Sequence, residues 1–285
     1  MRILSTLICF AALATAAPRP ELLVSTDWLA LHGTDPKVVL LHVGRAKGPY
    51  DEGHIPGARF LSFGAFTLAM KDGVSNELPA DADLKKAFEA VGVSDDSKVI
   101  LYGEGSVLLA TRAFFTLDYL GHGSSAALLD GGLEKWKAEG KNLAKDTPVV
   151  TAGNFTPRPR PELVVGFDGA RGLSAAASAG GKGATSLLDV RSGDEFKAGH
   201  IPGALNLPWG DSQVGKATPA LLPQAELQKL YDKIGVSPDK PVVTYCNSGM
   251  QASQSYFTLK LLGYDVRMYD GSFSEWTAKG ATVQK

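Results

Sequence analysis

The 285-residue chain repeats itself once, in order, over most of its length. Leu40-Leu41-His42-Val43-Gly44-Arg45 is echoed by Leu187-Leu188-Asp189-Val190-Arg191, and Gly53-His54-Ile55-Pro56-Gly57-Ala58 recurs unchanged as Gly199-His200-Ile201-Pro202-Gly203-Ala204. Gly92-Val93-Ser94 leading into Val99-Ile100-Leu101-Tyr102 returns as Gly235-Val236-Ser237 leading into Val242-Val243-Thr244-Tyr245. Phe115-Thr116-Leu117 returns as Phe257-Thr258-Leu259, and Asp130-Gly131-Gly132 with Trp136 as Asp270-Gly271-Ser272 with Trp276. A separation of roughly 140 to 147 residues is domain-sized, far beyond solenoid periods of about 20 to 50. Whatever fold one half adopts, the other must adopt as well.

Each half alternates short apolar runs with helical spacing. Residues 38–43, 99–102 and 126–129 read as buried strands, with counterparts at 186–190, 242–245 and 266–269. Residues 83–91, 110–120, 225–234 and 251–262 carry apolar residues at helical intervals. Strands alternating with helices imply parallel sheets joined by right-handed crossovers. The expectation is an α/β chain of two tandem domains, residues 18–146 and 163–285, each a central parallel sheet flanked by helices. Residues 147–162, ending in Pro157-Arg158-Pro159-Arg160-Pro161, read as an extended, semi-rigid linker that packs little.

The N-terminus has the layout of a secretory signal peptide, residues 1–17. Arg2 precedes an apolar stretch, and small residues around Ala14-Thr15-Ala16-Ala17 offer cleavage sites. The protein is therefore expected to be exported, periplasmic or secreted, with no membrane attachment after cleavage. Cys9 would leave with that segment, so Cys246 is expected to be the one thiol of the mature protein, which excludes disulfides within the chain. A formal net charge of −1 carries no basic excess for nucleic acid. The five histidines are scattered without metal-ligand spacing, and neither a metal nor a cofactor is expected.

Cys246 stands between the apolar run Val242-Val243-Thr244-Tyr245 and the polar loop Asn247-Ser248-Gly249-Met250-Gln251, after which a helical pattern begins. Sites in open parallel sheets form beyond the carboxyl ends of strands, and a thiol there faces backbone N–H groups that favour a negative sulfur. Gly249 permits the torsions of a tight cradle, Ser248 offers a hydroxyl or a helix cap, and Asn247, Met250 and Gln251 form the rim. His54 and His200 recur in both halves, including the half without a cysteine, and read as turn residues. A cysteine-dependent phosphatase would need an arginine six residues after the thiol, where this chain has Ala252.

The two Gly-His-Ile-Pro-Gly-Ala motifs, the Asp-Gly-Gly/Ser…Trp endings and a Tyr-Cys loop in the second half alone resemble the tandem-domain rhodanese family of thiosulfate and 3-mercaptopyruvate sulfurtransferases. The resemblance implies two rhodanese-like domains and a single active site on the second. It implies sulfur transfer from a small anionic donor, thiosulfate or 3-mercaptopyruvate, to cyanide or a thiol through a Cys246 persulfide. Arg191 matches the family's substrate-anion arginine, with Asp189 holding it. The rim carries Asn247-Ser248 where thiosulfate-preferring animal enzymes have Arg-Lys and many mercaptopyruvate enzymes have Gly-Ser. A second arginine shortly after the first, common in the latter, is absent. The first half, with Tyr102-Gly103-Glu104-Gly105-Ser106 opposite the cysteine, is expected to be silent. A monomer is expected, and a non-enzymatic persulfide carrier is the alternative to an enzyme.

Overall fold

In the computed structural model, which describes residues 17–70, 73–103, 105–179, 185–214 and 220–285, each half builds a five-stranded sheet. The first runs β1 (Leu23–Val24), α1 (Thr26–His32), β2 (Val38–Gly44), α2 (Gly48–Glu52), β3 (Arg59–Ser62), α3 (Asp81–Ala90), β4 (Lys98–Gly103), α4 (Val107–Tyr119), β5 (Ala126–Leu129) and α5 (Gly132–Ala138). The second repeats it as β6 (Val164–Val165), α6 (Phe167–Ser178), β7 (Ser186–Asp189), α7 (Gly193–Ala198), β8 (Leu205–Asn206), α8 (Gln224–Lys233), β9 (Val242–Tyr245), α9 (Met250–Leu261), β10 (Val266–Tyr269) and α10 (Ser272–Ala278). The strand orders are β1-β5-β4-β2-β3 and β6-β10-β9-β7-β8, the same order twice, with parallel pairing throughout both sheets. The expected signal segment 1–17 lies, except for Ala17, outside the described residues, as do Cys9 and Glu104. No described helix is long and apolar enough to cross a membrane.

The strand order positions the site. The chain leaves β7 toward β8 on one side of the sheet and leaves β9 toward β10 on the other. The adjacent carboxyl ends of β7 and β9 therefore open a crevice between diverging connections, the switch point where ligands bind in such sheets. Alternation along β9 fixes what faces where. Val243 and Tyr245 enter one core cluster with Trp276, while Val242 enters the other. Thr244 and then Cys246 follow in phase with Val242, and Cys246 joins that second cluster beside α9.

That second cluster is continuous across the two halves. It contains Phe114 and Phe115 of α4 as well as Tyr256 and Phe257 of α9. Both helices are buried on nearly all sides, because each packs on its own sheet and on the other helix. Phe114 meets Phe257 edge to face at 4.8 Å, Phe115 meets Tyr256 at 5.0 Å, and the hydroxyls of Thr111 and Ser253 lie 3.0 Å apart. Buried Asp118 accepts from the Tyr256 hydroxyl at 2.6 Å and pairs with Lys260 at 3.1 Å and with Arg160 at 3.0 Å.

The linker departs from its expected looseness. Phe155 is buried against Phe88 and His122. In the Pro-Arg-Pro-Arg-Pro run every second residue keeps its N–H. Arg158 donates to the Leu120 carbonyl at 2.9 Å and Arg160 to that of Tyr119 at 2.7 Å. These are carbonyls at the end of α4 that the helix itself leaves without partners. The run therefore caps a helix. Phe155→Ala is expected to lower the unfolding free energy by about 3–5 kcal/mol in urea titration; a loss under about 1 kcal/mol would mean that the linker does not share the core.

Candidate active site

Cys246 follows the last residue of the central strand β9 and is 1% exposed. Its sulfur accepts the Ser248 N–H at 3.4 Å. Burial pushes the thiol above its ordinary value, against the opposing pull of the N–H groups of Ala252, Ser248, Gln251 and Gly249. The sequence expectation of a helix N-terminus favouring thiolate is thus half right. The dipoles are present and aimed at the sulfur, but removal from water outweighs them in the resting state. Each hydrogen bond to a sulfur anion contributes about 1.5–3 kcal/mol, so the arrangement holds an anion once one forms.

The cradle has this shape because Gly249 adopts φ +76° and caps α9. A Cβ at that position would lie 2.8 Å from both Arg112 Nη1 and Asp270 Oδ1. The capping residue is therefore Gly249 rather than Ser248. The Ser248 hydroxyl instead accepts the Asn76 amide at 3.0 Å, from the first half. Asn247 is exposed, and its amide donates to Glu195 at 2.9 Å, the leading cause that holds the Glu195 carboxyl below its usual range. Met250 is buried in the shared core, and the side-chain oxygen of Gln251 is buried with no partner among the described residues.

Arg191 is placed otherwise than its expected role requires. Its Nε and Nη2 donate to Asp189, Nη2 also donates to the Gly199 carbonyl at 2.8 Å, and the guanidinium stacks on Phe273 at 3.9 Å. The residue is 3% exposed, and its charge is matched by Asp189. Of its side-chain nitrogens, only Nη1 makes no hydrogen bond among the described residues. The structure thus gives Arg191 first to the architecture of the switch point, with Asp189 as its holder, and leaves one donor over.

Two groups supporting the cradle were not singled out from sequence. Ser272 is fully buried at φ +53°, a conformation that disfavours residues with a Cβ. Its hydroxyl accepts the N–H groups of Cys246 at 3.2 Å and Gly249 at 3.1 Å, and donates to the Tyr269 carbonyl at 2.9 Å. It clamps both ends of the loop. The equivalent residue of the first half is Gly132, at φ +58°. The serine keeps a glycine's backbone shape for the sake of its hydroxyl, and the Gly/Ser difference between the duplicated motifs was the only signal of it. The second group is Asp270, which pairs with Arg112 of α4 through Nη1 at 2.5 Å and Nη2 at 3.1 Å, and accepts the Leu78 N–H at 3.0 Å. Through Arg112, Asn76 and Leu78 the first half forms the wall behind the Cys246 loop.

His54 and His200 lie in turns, stacked on Tyr50 and Phe196 with Nδ1 at the carbonyls of those residues. Ala252 is buried in α9. This arrangement can present a buried sulfur nucleophile and stabilise a negative sulfur after attack.

Comparison with known proteins agrees with that chemistry. Residues 25–139 and 174–279 each match the rhodanese-like domain. The sulfur carrier protein TtuD of Thermus thermophilus is 36% identical over 275 residues, covering 90% of this chain and 94% of its own length. A putative thiosulfate sulfurtransferase of Saccharopolyspora erythraea is 33% identical over 283 residues, covering 93% and 95%. The crystal structure of SseA from Escherichia coli, described as a 3-mercaptopyruvate sulfotransferase, superposes with a TM-score of 0.77 at 30% identity over 88% of this chain and 98% of that one.

Because the thiol is raised above its ordinary value, alkylation of Cys246 by iodoacetamide should still be accelerating at about pH 8.5, the midpoint of an ordinary thiol. A plateau near neutrality would contradict the burial argument. Ser272→Gly, which leaves the backbone angle unstrained and removes only the clamp, should move that profile to still higher pH. An unchanged profile would reduce Ser272 to a packing residue.

Proposed function

The chain is a member of the rhodanese-like domain family, and from that premise we propose that it is a sulfurtransferase that moves sulfane sulfur from thiosulfate to cyanide or a thiol acceptor. The supporting observation is the buried Cys246 sulfur faced by the N–H groups of Ser248, Gly249, Gln251 and Ala252 at the switch point of the second sheet. The Cys246 thiolate attacks the outer sulfur of thiosulfate. The sulfur–sulfur bond of the donor breaks, sulfite leaves with the electron pair, and Cys246 becomes a persulfide. Cyanide then takes the terminal sulfur as thiocyanate and the thiolate returns. With 3-mercaptopyruvate the thiolate would attack the thiol sulfur instead, the carbon–sulfur bond would break, and the electron pair would leave on the pyruvate enolate, which takes up the proton of the donor's thiol to become pyruvate. Dividing the transfer through a covalent intermediate gives ping-pong kinetics.

The cradle suits both halves of the cycle because backbone N–H groups bind an anionic sulfur without themselves titrating. Charge at the mouth bears on the donor. Arg191 and Arg112 are paired with Asp189 and Asp270, and Asn247 holds the Glu195 carboxylate at the rim. This supports a small donor held by dipoles over a larger one gripped by free guanidinium groups. A second reading is a persulfide carrier that hands sulfur only to a protein partner, favoured by the likeness to a sulfur carrier protein. Export belongs to the same proposal and rests on the leader-like pattern of residues 1–17; the intact mass of the protein from its native host tests it.

Incubation with thiosulfate is expected to add one sulfur atom to Cys246, seen by mass spectrometry and removed by cyanide, with no such addition in Cys246→Ser. No added sulfur with either thiosulfate or 3-mercaptopyruvate would sink the proposal. Catalytic thiocyanate formation identifies an enzyme, whereas a single stoichiometric release identifies the carrier. A steady-state comparison of the two donors is expected to show the higher kcat/KM with thiosulfate.

A further inference from the structure

The first half has a switch point of its own, between β2 and β4, and it holds a cavity of about 290 Å³. Sheet register shows what this cavity corresponds to. His42 pairs with Tyr102 across β2 and β4 as Asp189 pairs with Tyr245 across β7 and β9. His42 is thus the counterpart of Asp189, and Gly44 that of Arg191. Gly53 and Leu133 stand in turn for Gly199 and Phe273 of the duplicated motifs. In the second half those groups hold the Arg191 guanidinium, through the Asp189 carboxylate, the Gly199 carbonyl and the Phe273 ring. In the first half His42, Gly53 and Leu133 line the cavity, and Gly44, at the position of Arg191, carries no side chain.

The walls carry polar groups without partners. His42 is fully buried, and among the described residues neither of its ring nitrogens has a hydrogen-bond partner. Glu134 Oε2 is likewise buried and has no partner among the described residues. Orphaned groups of this kind are costly to bury, and a ligand that satisfied them would recover that cost. Glu52 and Lys137 complete the charged lining, so two carboxylates face one ammonium and the cavity favours a cation. Burial, with the charges of His54 and Lys137, pushes His42 down to about 4, so at neutral pH it offers one donor and one acceptor. No group of three His, Cys, Asp or Glu side chains among the described residues has a metal-binding arrangement, which directs the choice toward an organic cation.

We propose that this cavity binds a guanidinium group, in the place that Arg191 fills in the second half. The ligand donates to Glu134 and to the acceptor nitrogen of His42, with one face against Leu133. The carboxylate that β7 supplies in the second half is supplied here by α5, because His42 has taken its strand position.

The test is a titration of the full chain with ethylguanidinium chloride at fixed ionic strength, with ethylammonium chloride as control, reading the His42 imidazole signal by NMR. A saturable shift is expected with a Kd in the range of about 1–10 mM, as befits a ligand of few atoms, and ethylammonium should leave the signal in place. Glu134→Gln should weaken the response about tenfold, the loss of one charge-assisted contact. Gly44→Arg should move the His42 signal without ligand and abolish the titration; if that variant does not fold, Glu134→Gln decides. N-acetylarginine amide, run in parallel, separates an arginine of a peptide from a free small molecule as the source, and a response to either supports the site. Silence toward both, an equal response to ethylammonium, or an undiminished response in Glu134→Gln would overturn it. None of these readouts depends on sulfur transfer.

Discussion

The packing of α4 against α9 is the contact on which the rest of the structure depends. Both helices are buried on nearly all sides, so neither half could expose its own without presenting a stripe of phenylalanine to water. Burial of each such ring is worth about 1.5–3 kcal/mol, and Phe114, Phe115 and Phe257 are all fully buried. The contacts advance in the same direction along both helices, from Thr111–Ser253 through Phe114–Phe257 to Asp118–Lys260. The helix N-termini therefore lie at the same end, and the loop that carries Cys246 opens beside the first half. That is how Asn76, Leu78 and Arg112 come to touch Ser248 and Asp270. The half without a nucleophile is a structural part of the site.

Once paired, the halves diverged where they face one another. Asp118 meets Lys260, its counterpart in α9, across the interface. Arg112 crosses to Asp270, whereas its counterpart Gln254 stays with Ser212 of its own half. Ser272 replaces the glycine that the backbone would prefer, and its hydroxyl holds the loop. Arg191 fills a space left open beside Gly44. Each exchange makes the two counterparts unlike in charge or in hydrogen-bonding capacity. A duplicated frame has thereby become one site with one buttress, without changing strand order or register.

Much of this was legible in the sequence, for reasons that can be named. Repeated motifs fixed two copies of one domain, and apolar runs of strand length between helical stretches indicated parallel sheets. The position of Cys246 after β9 followed from the Val242-Val243-Thr244-Tyr245 run. What stayed hidden depended on partners distant in sequence. Nothing local to Arg191 says that Gly199 and Phe273 close around it, and nothing local to Ser272 says that it binds the amides of Cys246 and Gly249. The proline run misled because composition reports stiffness, while packing depends on Phe155 and on the two N–H groups left between prolines. The thiol's upward shift was missed for a similar reason. A helix N-terminus can be read from sequence, whereas the burial that outweighs it is a property of the assembled core.

These features bear on how a buried site handles an anion. Arg112 and Arg191 are each matched by an aspartate, so the described surroundings of Cys246 add little net positive charge. Stabilisation of negative sulfur falls to backbone N–H groups whose direction is set by Gly249 and Ser272. Such dipoles neither titrate nor attract a counterion, and in a site removed from water they act at full strength only on a charge at the right point. A free lysine or arginine would attract any anion from a distance. A fixed ring of N–H groups discriminates by position, stabilising the sulfur bonded to Cys246 far more than an anion at the rim. The cost is a resting thiol that ionises reluctantly. The return is a nucleophile inert to most electrophiles until a small donor enters the cradle, which suits a chain whose proposed chemistry leaves a reactive sulfur exposed to attack between two half-reactions.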